Sequence, residues 1–449
     1  MENRIIELLE AKDFAQIKEE ISDMNAADAA AFLEELFEER TNEKELIILF
    51  RLMPKDLAAD CFSFLDSDTQ RHLIDFFSDI ELQEVLDQTF IDDAVDMIEE
   101  MPANVVSRIL RNSDAQTRAA INEILKYPRD SAGSIMTIEY VDLLRDMTVD
   151  EAFTRIRRTG VDKETIYTCY VKDENRHLIG MISVKTLLLS EKTDLIEDIM
   201  ETNLISVNTH EDREVVAGIF EKYDFLALPV VDAEYRLVGI VTIDDVIDVI
   251  QEEVTEDIEK MAAIVPSDKP YMKTGVIETC KKRIPWLLLL MISATFTGKI
   301  IGHYESALAS YMVLSTFIPM LMDTGGNAGG QASVTIIRSL SLGDVEFSDI
   351  LSVLWKELRV GLSCGIILCA ANFVKLLVID RVTMHVAAVV CGTLIVTVMF
   401  AKVVGCLLPM LAKKLHFDPA VMASPFITTI VDAVSLVIYF RIAKMLLGI

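Results

Sequence analysis

From residue 284 onward the chain contains five long, predominantly apolar stretches, at 284–302, 307–337, 360–378, 386–412 and 420–440. A helix needs roughly 20 such residues to cross a bilayer, so the sequence predicts five spans. Five is odd, which places the termini on opposite sides. Basic flanks set the orientation. With the N-terminus inside, the cytoplasmic side holds Lys273, Lys281, Lys282, Arg283, Arg338, Lys356, Arg359, Lys413 and Lys414. The other side holds Lys299, Lys375, Arg381, Arg441 and Lys444, and nine against five favours a cytoplasmic front half.

Charge divides the chain at the same place. Residues 1–270 carry 61 Asp/Glu against 27 Lys/Arg, a net of −34, whereas 271–449 carry 10 against 15, a net of +5. A domain at −34 repels itself unless cations screen it, so metal ions are natural partners and nucleic acid is not. The seven cysteines show no paired spacing and predict neither a disulfide framework nor a zinc site. The N-terminal residues read as an amphipathic helix without the apolar core of a signal peptide. No nucleophile–base or phosphate-loop pattern appears, so an enzyme is not expected.

Two of the apolar stretches contain groups that a lipid-facing helix avoids. The second carries Pro319, the single charge Asp323, then Gly325, Gly326, Asn327, Gly329, Gly330 and Gln331. Four glycines near a proline predict a loosened helix, tolerated only beside protein or a water-filled cavity; close packing of small residues is the alternative. The fifth places Pro425, Thr428, Thr429 and Asp432 at i, i+3, i+4 and i+7 spacing read back from the aspartate, on one helical face. An intramembrane carboxylate marks a functional site by default. The competing structural role for Asp432 is an ion pair, for which Lys402 is the main candidate.

The front half has two patterns. Residues 1–129 read as short amphipathic helices, for example 27–37, 46–52, 68–77 and 94–100, with similar breaks at Met53-Pro54 and Met101-Pro102. Such repeats stack into a superhelix. Residues 130–250 contain a duplication: the segment 170–188 aligns with 229–247 at a constant offset of 59, superposing Asp173 on Asp232, Gly180 on Gly239 and Ser183 on Thr242. Each copy reads strand, turn, strand, helix, and each is preceded by an Ile-Met pair, Ile135-Met136 and Ile199-Met200. The duplicated unit resembles a tandem pair of CBS domains, modules that often hold an adenine nucleotide between them. An acidic helix follows, on which Asp245, Asp248, Glu252 and Glu256 share a face. Like charges at those spacings destabilise a helix, so bound cations would relieve a real cost; a solvated face is the alternative.

With Asp418-Pro419-Ala420 ahead of the fifth stretch, the three membrane motifs and the order of domains resemble the MgtE family of magnesium transporters over essentially the whole chain. The resemblance implies a multidomain membrane protein: an acidic superhelical α-domain (1–129), an α+β CBS pair (130–198 and 199–250), a connecting plug helix (251–275) and an all-α domain of five spans (276–449). It also implies a homodimer in the plasma membrane that admits Mg²⁺ along a pathway lined by Asp432, Thr428, Thr429, Pro425, Asn327, Gly325, Gly326 and Asp418. Cytoplasmic Mg²⁺ would close that pathway by binding Asp60, Asp92, Asp96, Asp212, Glu214, Asp224, Asp245, Asp248, Glu253, Glu256 and Asp257. An adenine nucleotide such as ATP would lie near Tyr170, Lys185, Phe225, Pro229 and Thr242. The first CBS copy departs from the pattern, with Thr186 where an acid often holds ribose, and Ala433-Val434-Ser435 lacks an expected glycine. The rival functions are transport of another divalent ion, such as Co²⁺ or Mn²⁺, and a membrane-anchored metal or nucleotide sensor that conducts nothing.

Overall fold

The computed structural model describes residues 2–39, 43–267, 271–422 and 424–448. It forms two compact units, Met1–Ile250 and Gln251–Ile449.

The first unit opens with ten short helices, from Glu2–Ala11 to Ala115–Ile124. Segments of this length are marginal alone, so they persist by burying apolar faces against one another. The predicted breaks are helix starts: Pro54 and Pro102 are the residues immediately before Lys55–Phe64 and Ala103–Asn112, where a missing N–H costs nothing. Ser78 and Glu81 form a reciprocal capping box on Asp79–Leu86. The rings of Phe50, Phe62 and Phe77 meet in the core with centroids 5.3–6.1 Å apart.

Two three-stranded sheets follow, each a parallel pair extended by an antiparallel hairpin. The first orders Tyr140–Leu144, Thr165–Lys172 and Leu178–Ser183; the second orders Val207–Asn208, Ala227–Val231 and Leu237–Thr242. The geometry explains each duplicated residue. Asp173 Oδ1 accepts the Asn175 and His177 N–H groups at 2.8 Å. Asp232 Oδ1 accepts those of Glu234 at 2.9 Å and Arg236 at 2.8 Å. Each aspartate thus closes a tight turn whose left-handed residue is Arg176 (φ 70°) or Tyr235 (φ 63°). The Ile-Met pairs are exchanged between copies. A Cβ on Gly239 would lie 2.7 Å from Met136 Sδ, and one on Gly180 would collide with Met200 Sδ. The segment ahead of the first copy therefore pairs with the second, through the Thr137–Ile240 bridge.

The second unit is helical. Among the described residues four helices are long and apolar enough to cross a membrane: Val276–His303, Phe347–Val378, Met384–Lys414 and Ala420–Leu447. The expected second span is the helix Ile318–Ser341, 24 residues long, and its Asp, Asn, Gln and glycine content keeps it out of that apolar set. The expectation of loosened backbone there is corrected, because the helix is continuous. Pro319 falls in its first turn, where proline is tolerated, and the glycines serve close packing. A Cβ on Gly325 would lie 2.8 Å from both Thr397 and Val431, and one on Gly329 would lie 2.6 Å from Ile427. Met384–Lys414 is the most enclosed of the four apolar helices, packed on both Ile350–Val378 and Ile318–Ser341.

Candidate functional site

In the second unit, Ile318–Ser341 presents two different faces. Leu321, Gly325, Ala328, Gly329 and Ala332 are buried against neighbouring helices. The opposite face lines a cavity of about 1110 Å³ through Pro319, Met322, Asp323, Gly326, Asn327, Gly330, Gln331, Val334 and Thr335. Thr428 and Asp432, one turn apart on Ser424–Leu447, complete the wall. Asp432 Oδ1 is buried and has no hydrogen-bond partner. Lys402, the candidate counter-ion, instead faces Glu357 at 4.0 Å. A space of this size holds a cation with its full water shell, at about 30 Å³ per water.

The sequence-selected pathway residues separate on this geometry. Asp432, Thr428, Asn327 and Gly326 line the cavity. Gly325 faces the packed side. Thr429 accepts a hydrogen bond from Ser293 Oγ at 3.1 Å and so faces the first apolar helix. Asp418 accepts Lys260 Nζ at 2.6 Å and the Ala420 N–H at 2.7 Å. The side chain of Pro425 lies outside the described residues. Asp323 and Gln331 were missed as site residues, although Asp323, Asn327 and Gln331 recur every four residues, the signature of one helical face.

In the first unit, Asp60, Asp92, Asp96, Asp245 and Asp248 gather with Asp93, Glu139, Glu164 and Asp244, which sequence reading did not select as site residues. Burial, and then repulsion between neighbouring carboxylates, raises the pKa values of Asp60, Asp92, Asp93, Glu164, Asp245 and Asp248. Burial first, then the charges of Asp244, Asp245, Asp93 and Glu139, pushes Glu164 up to about 8. Burial and the charge of Asp92 push Asp245 up to about 8, although the Thr242 hydroxyl donates to it at 2.7 Å. Burial, then the charges of Asp93, Glu164 and Glu139, holds Asp92 well above the carboxylate range. Glu164 Oε2 is buried without a partner. Among the described residues no three acidic, histidine or cysteine side chains converge closely enough for direct chelation.

Other candidates stand apart. Asp212 and Asp224 cap opposite ends of the 11-residue helix Arg213–Tyr223, about 18 Å apart at 1.5 Å per residue, with Glu214 in its first turn. Glu256 is bridged by Lys260, and Glu253 and Asp257 lie on the same continuous helix, Ile243–Met261. Of the nucleotide candidates, Tyr170, Pro229 and Thr242 are buried, Phe225 is half-buried and Lys185 is exposed.

Apolar helices, a polar-faced helix on a carboxylate-lined cavity and a large acidic soluble unit define a multi-pass membrane protein built around charged cargo. Comparison with known proteins agrees. Residues 318–442 match the MgtE family described as "Divalent cation transporter", 24–130 the "MgtE intracellular N domain", and 132–191 and 196–252 the CBS domain. The magnesium transporter MgtE of Thermus thermophilus is 35% identical over 98% of this chain and 97% of its own length. That of Bacillus subtilis is 31% identical over 98% and 96%. The crystal structure of the cytosolic domain of the Mg²⁺ channel MgtE in complex with ATP is 34% identical, covering 56% of this chain and all of that one at a TM-score of 0.52. The chain belongs to the MgtE family of divalent cation transporters.

Proposed function

We propose that this chain is a Mg²⁺-selective influx pathway, closed by Mg²⁺ accumulating on its cytoplasmic side. The observation that carries the reading is the unpartnered Asp432 carboxylate in the cavity wall. Mg²⁺ sheds water reluctantly and prefers an octahedral shell. Asp432, the Thr428 hydroxyl and the Asn327 amide oxygen hold the ion through its waters, so pathway width and water-mediated contacts set selectivity. Five spans with a cytoplasmic N-terminus let the inside-negative potential draw the ion in, at about 2.3 kcal/mol per charge per 100 mV. Two copies of the chain pair as a homodimer around one pathway.

Closure uses the carboxylate cluster of the first unit. Its charges repel one another when ionised, and bound Mg²⁺ removes that cost in the compact arrangement. A ligand shifts such an equilibrium by its differential affinity for the two states. The duplicated modules take an adenine nucleotide as a second input, a reading supported by the ATP-bound relative.

Mg²⁺ uptake into proteoliposomes tests both parts. Wild type should conduct and should be inhibited as internal Mg²⁺ rises. Asp432→Asn should abolish uptake, and Asp92→Asn with Asp245→Asn should conduct with weakened inhibition. Uptake of Co²⁺ or Mn²⁺ in preference to Mg²⁺ would establish the other-ion alternative, and wild-type liposomes that admit no ion would leave only the sensor.

A further inference from the structure

Asp323 is the one acidic residue of the helix Ile318–Ser341. A carboxylate turned to hydrocarbon is costly, and this one lines the same cavity as Asp432. The packing fixes their relation. Gly325 meets Val431 and Ser435, Gly326 meets Thr428, and Gly329 meets Ile427. Rising numbers on one helix meet falling numbers on the other, so the two helices are antiparallel. That register sets Asp323 at about the level of Asp432 along the cavity wall. Neither aspartate has an ion-pair partner among the described residues, and Asp432 Oδ1 has no hydrogen bond.

We infer that Asp323 is a second ion-binding carboxylate of the pathway, and that the Asp323–Asp432 pair selects divalent over monovalent cations. The inference rests on the transport reading above. Each copy brings two carboxylates to the pathway, and a divalent ion offsets twice as much of that negative charge as a monovalent one. Both act as acceptors for the waters of the hydrated ion, with Asn327 one turn along the same wall from Asp323.

The test uses full-length protein in liposomes, with Mg²⁺ uptake measured against external Mg²⁺, against competing Na⁺, and against hexaamminecobalt(III), a mimic of hydrated Mg²⁺ whose ligands do not exchange. Asp323→Asn should raise the half-saturating Mg²⁺ about tenfold, the loss of one charge-assisted contact. It should weaken the hexaamminecobalt(III) block to a similar degree and sharpen inhibition by Na⁺, and Asp323→Glu should restore most of each. A folded Asn variant, checked by gel filtration and thermal melting, with wild-type half-saturation, block and Na⁺ sensitivity would overturn the inference while leaving the transport reading intact. If wild type carries Co²⁺ or Mn²⁺ in place of Mg²⁺, the reading is wrong and the same variants test Asp323 on that ion. A wild type that carries no divalent ion overturns both.

Discussion

Lys402, on Met384–Lys414, places its Nζ 4.0 Å from Glu357 Oε2 on Ile350–Val378, and both side chains are largely buried, 9% and 14% exposed. The approach is made possible by Gly361, one turn beyond Glu357. A Cβ at that position would come within 3.1 Å of the Met399 Cα and 3.5 Å of Lys402 Cγ. Removing one member of a buried pair strands the other charge, typically at about 3–5 kcal/mol, whereas replacing both with apolar groups is often neutral. Glu357→Gln should therefore lower the melting temperature sharply in detergent, and Glu357→Leu with Lys402→Met should recover most of it. Because Lys402 does not neutralise Asp432, the recovered double variant should transport like wild type. Loss of uptake in a stable double variant would show that Lys402 serves the pathway.

The glycines of the polar-faced helix and of the helix packed on it divide by what surrounds them. Gly405 packs against the Gly329 carbonyl so closely that a Cβ would overlap it, while Gly330 has open space around it. Overfilling a packed contact costs about 1–3 kcal/mol. Gly405→Val should separate Met384–Lys414 from Ile318–Ser341 and destabilise by at least that amount. Gly330→Ala should melt like wild type. Equal melting temperatures for the two variants would contradict the packing described.

Helix placement, the duplication and the breaks at Pro54 and Pro102 were legible because each depends on local chemistry or on periodicity. The functional reason for Gly180 and Gly239 was not, since it lies in methionines exchanged between the two copies. The second apolar stretch misled for a related reason. Glycine and proline read as helix-breaking when the partner surface is unknown, yet Gly325 and Gly329 are there to admit neighbouring helices. Lys402 could be assigned to Asp432 or to Glu357 only once helix rotation was fixed, and packing at Gly361 fixes it. Asp432 was found because a carboxylate among apolar residues is conspicuous anywhere. Asp323, equally isolated, needed the facing helix before its role showed.

Raised carboxylate pKa values in the first unit carry a definite sign. Glu164 and Asp245 are pushed up to about 8 from ordinary values near 4. The folded unit therefore holds protons that the unfolded chain has released between about pH 4 and pH 8. Stability from these groups is complete below the unfolded values and is lost as pH rises through about 8. In chelator, thermal stability of the full chain should fall from pH 5 to pH 9. Added Mg²⁺ should restore it most at the alkaline end, with protons released on binding. Glu164→Gln should flatten both trends. A melting temperature that rises with pH in chelator would contradict the assignment.

Lys260 joins Glu256, on its own helix, to Asp418 ahead of the fifth apolar helix. Burial works against its charge, but the two carboxylates more than offset this and hold Lys260 above the usual lysine range. Its contribution is present below the unfolded lysine value near 10.5 and is lost only above that, so the bridge should not vary between pH 5 and pH 9. Asp418 also caps the chain at Ala420, so loss of the lysine should loosen both ends of the contact. Lys260→Met should accelerate amide exchange in the last turns of Ile243–Met261 and around residues 418–422, with little change at Asp432. Because the bridge neutralises two carboxylates otherwise available to a divalent ion, the same variant should bring on inhibition at lower internal Mg²⁺. Exchange and inhibition both unchanged in Lys260→Met would reduce the bridge to a solvated contact of negligible energy.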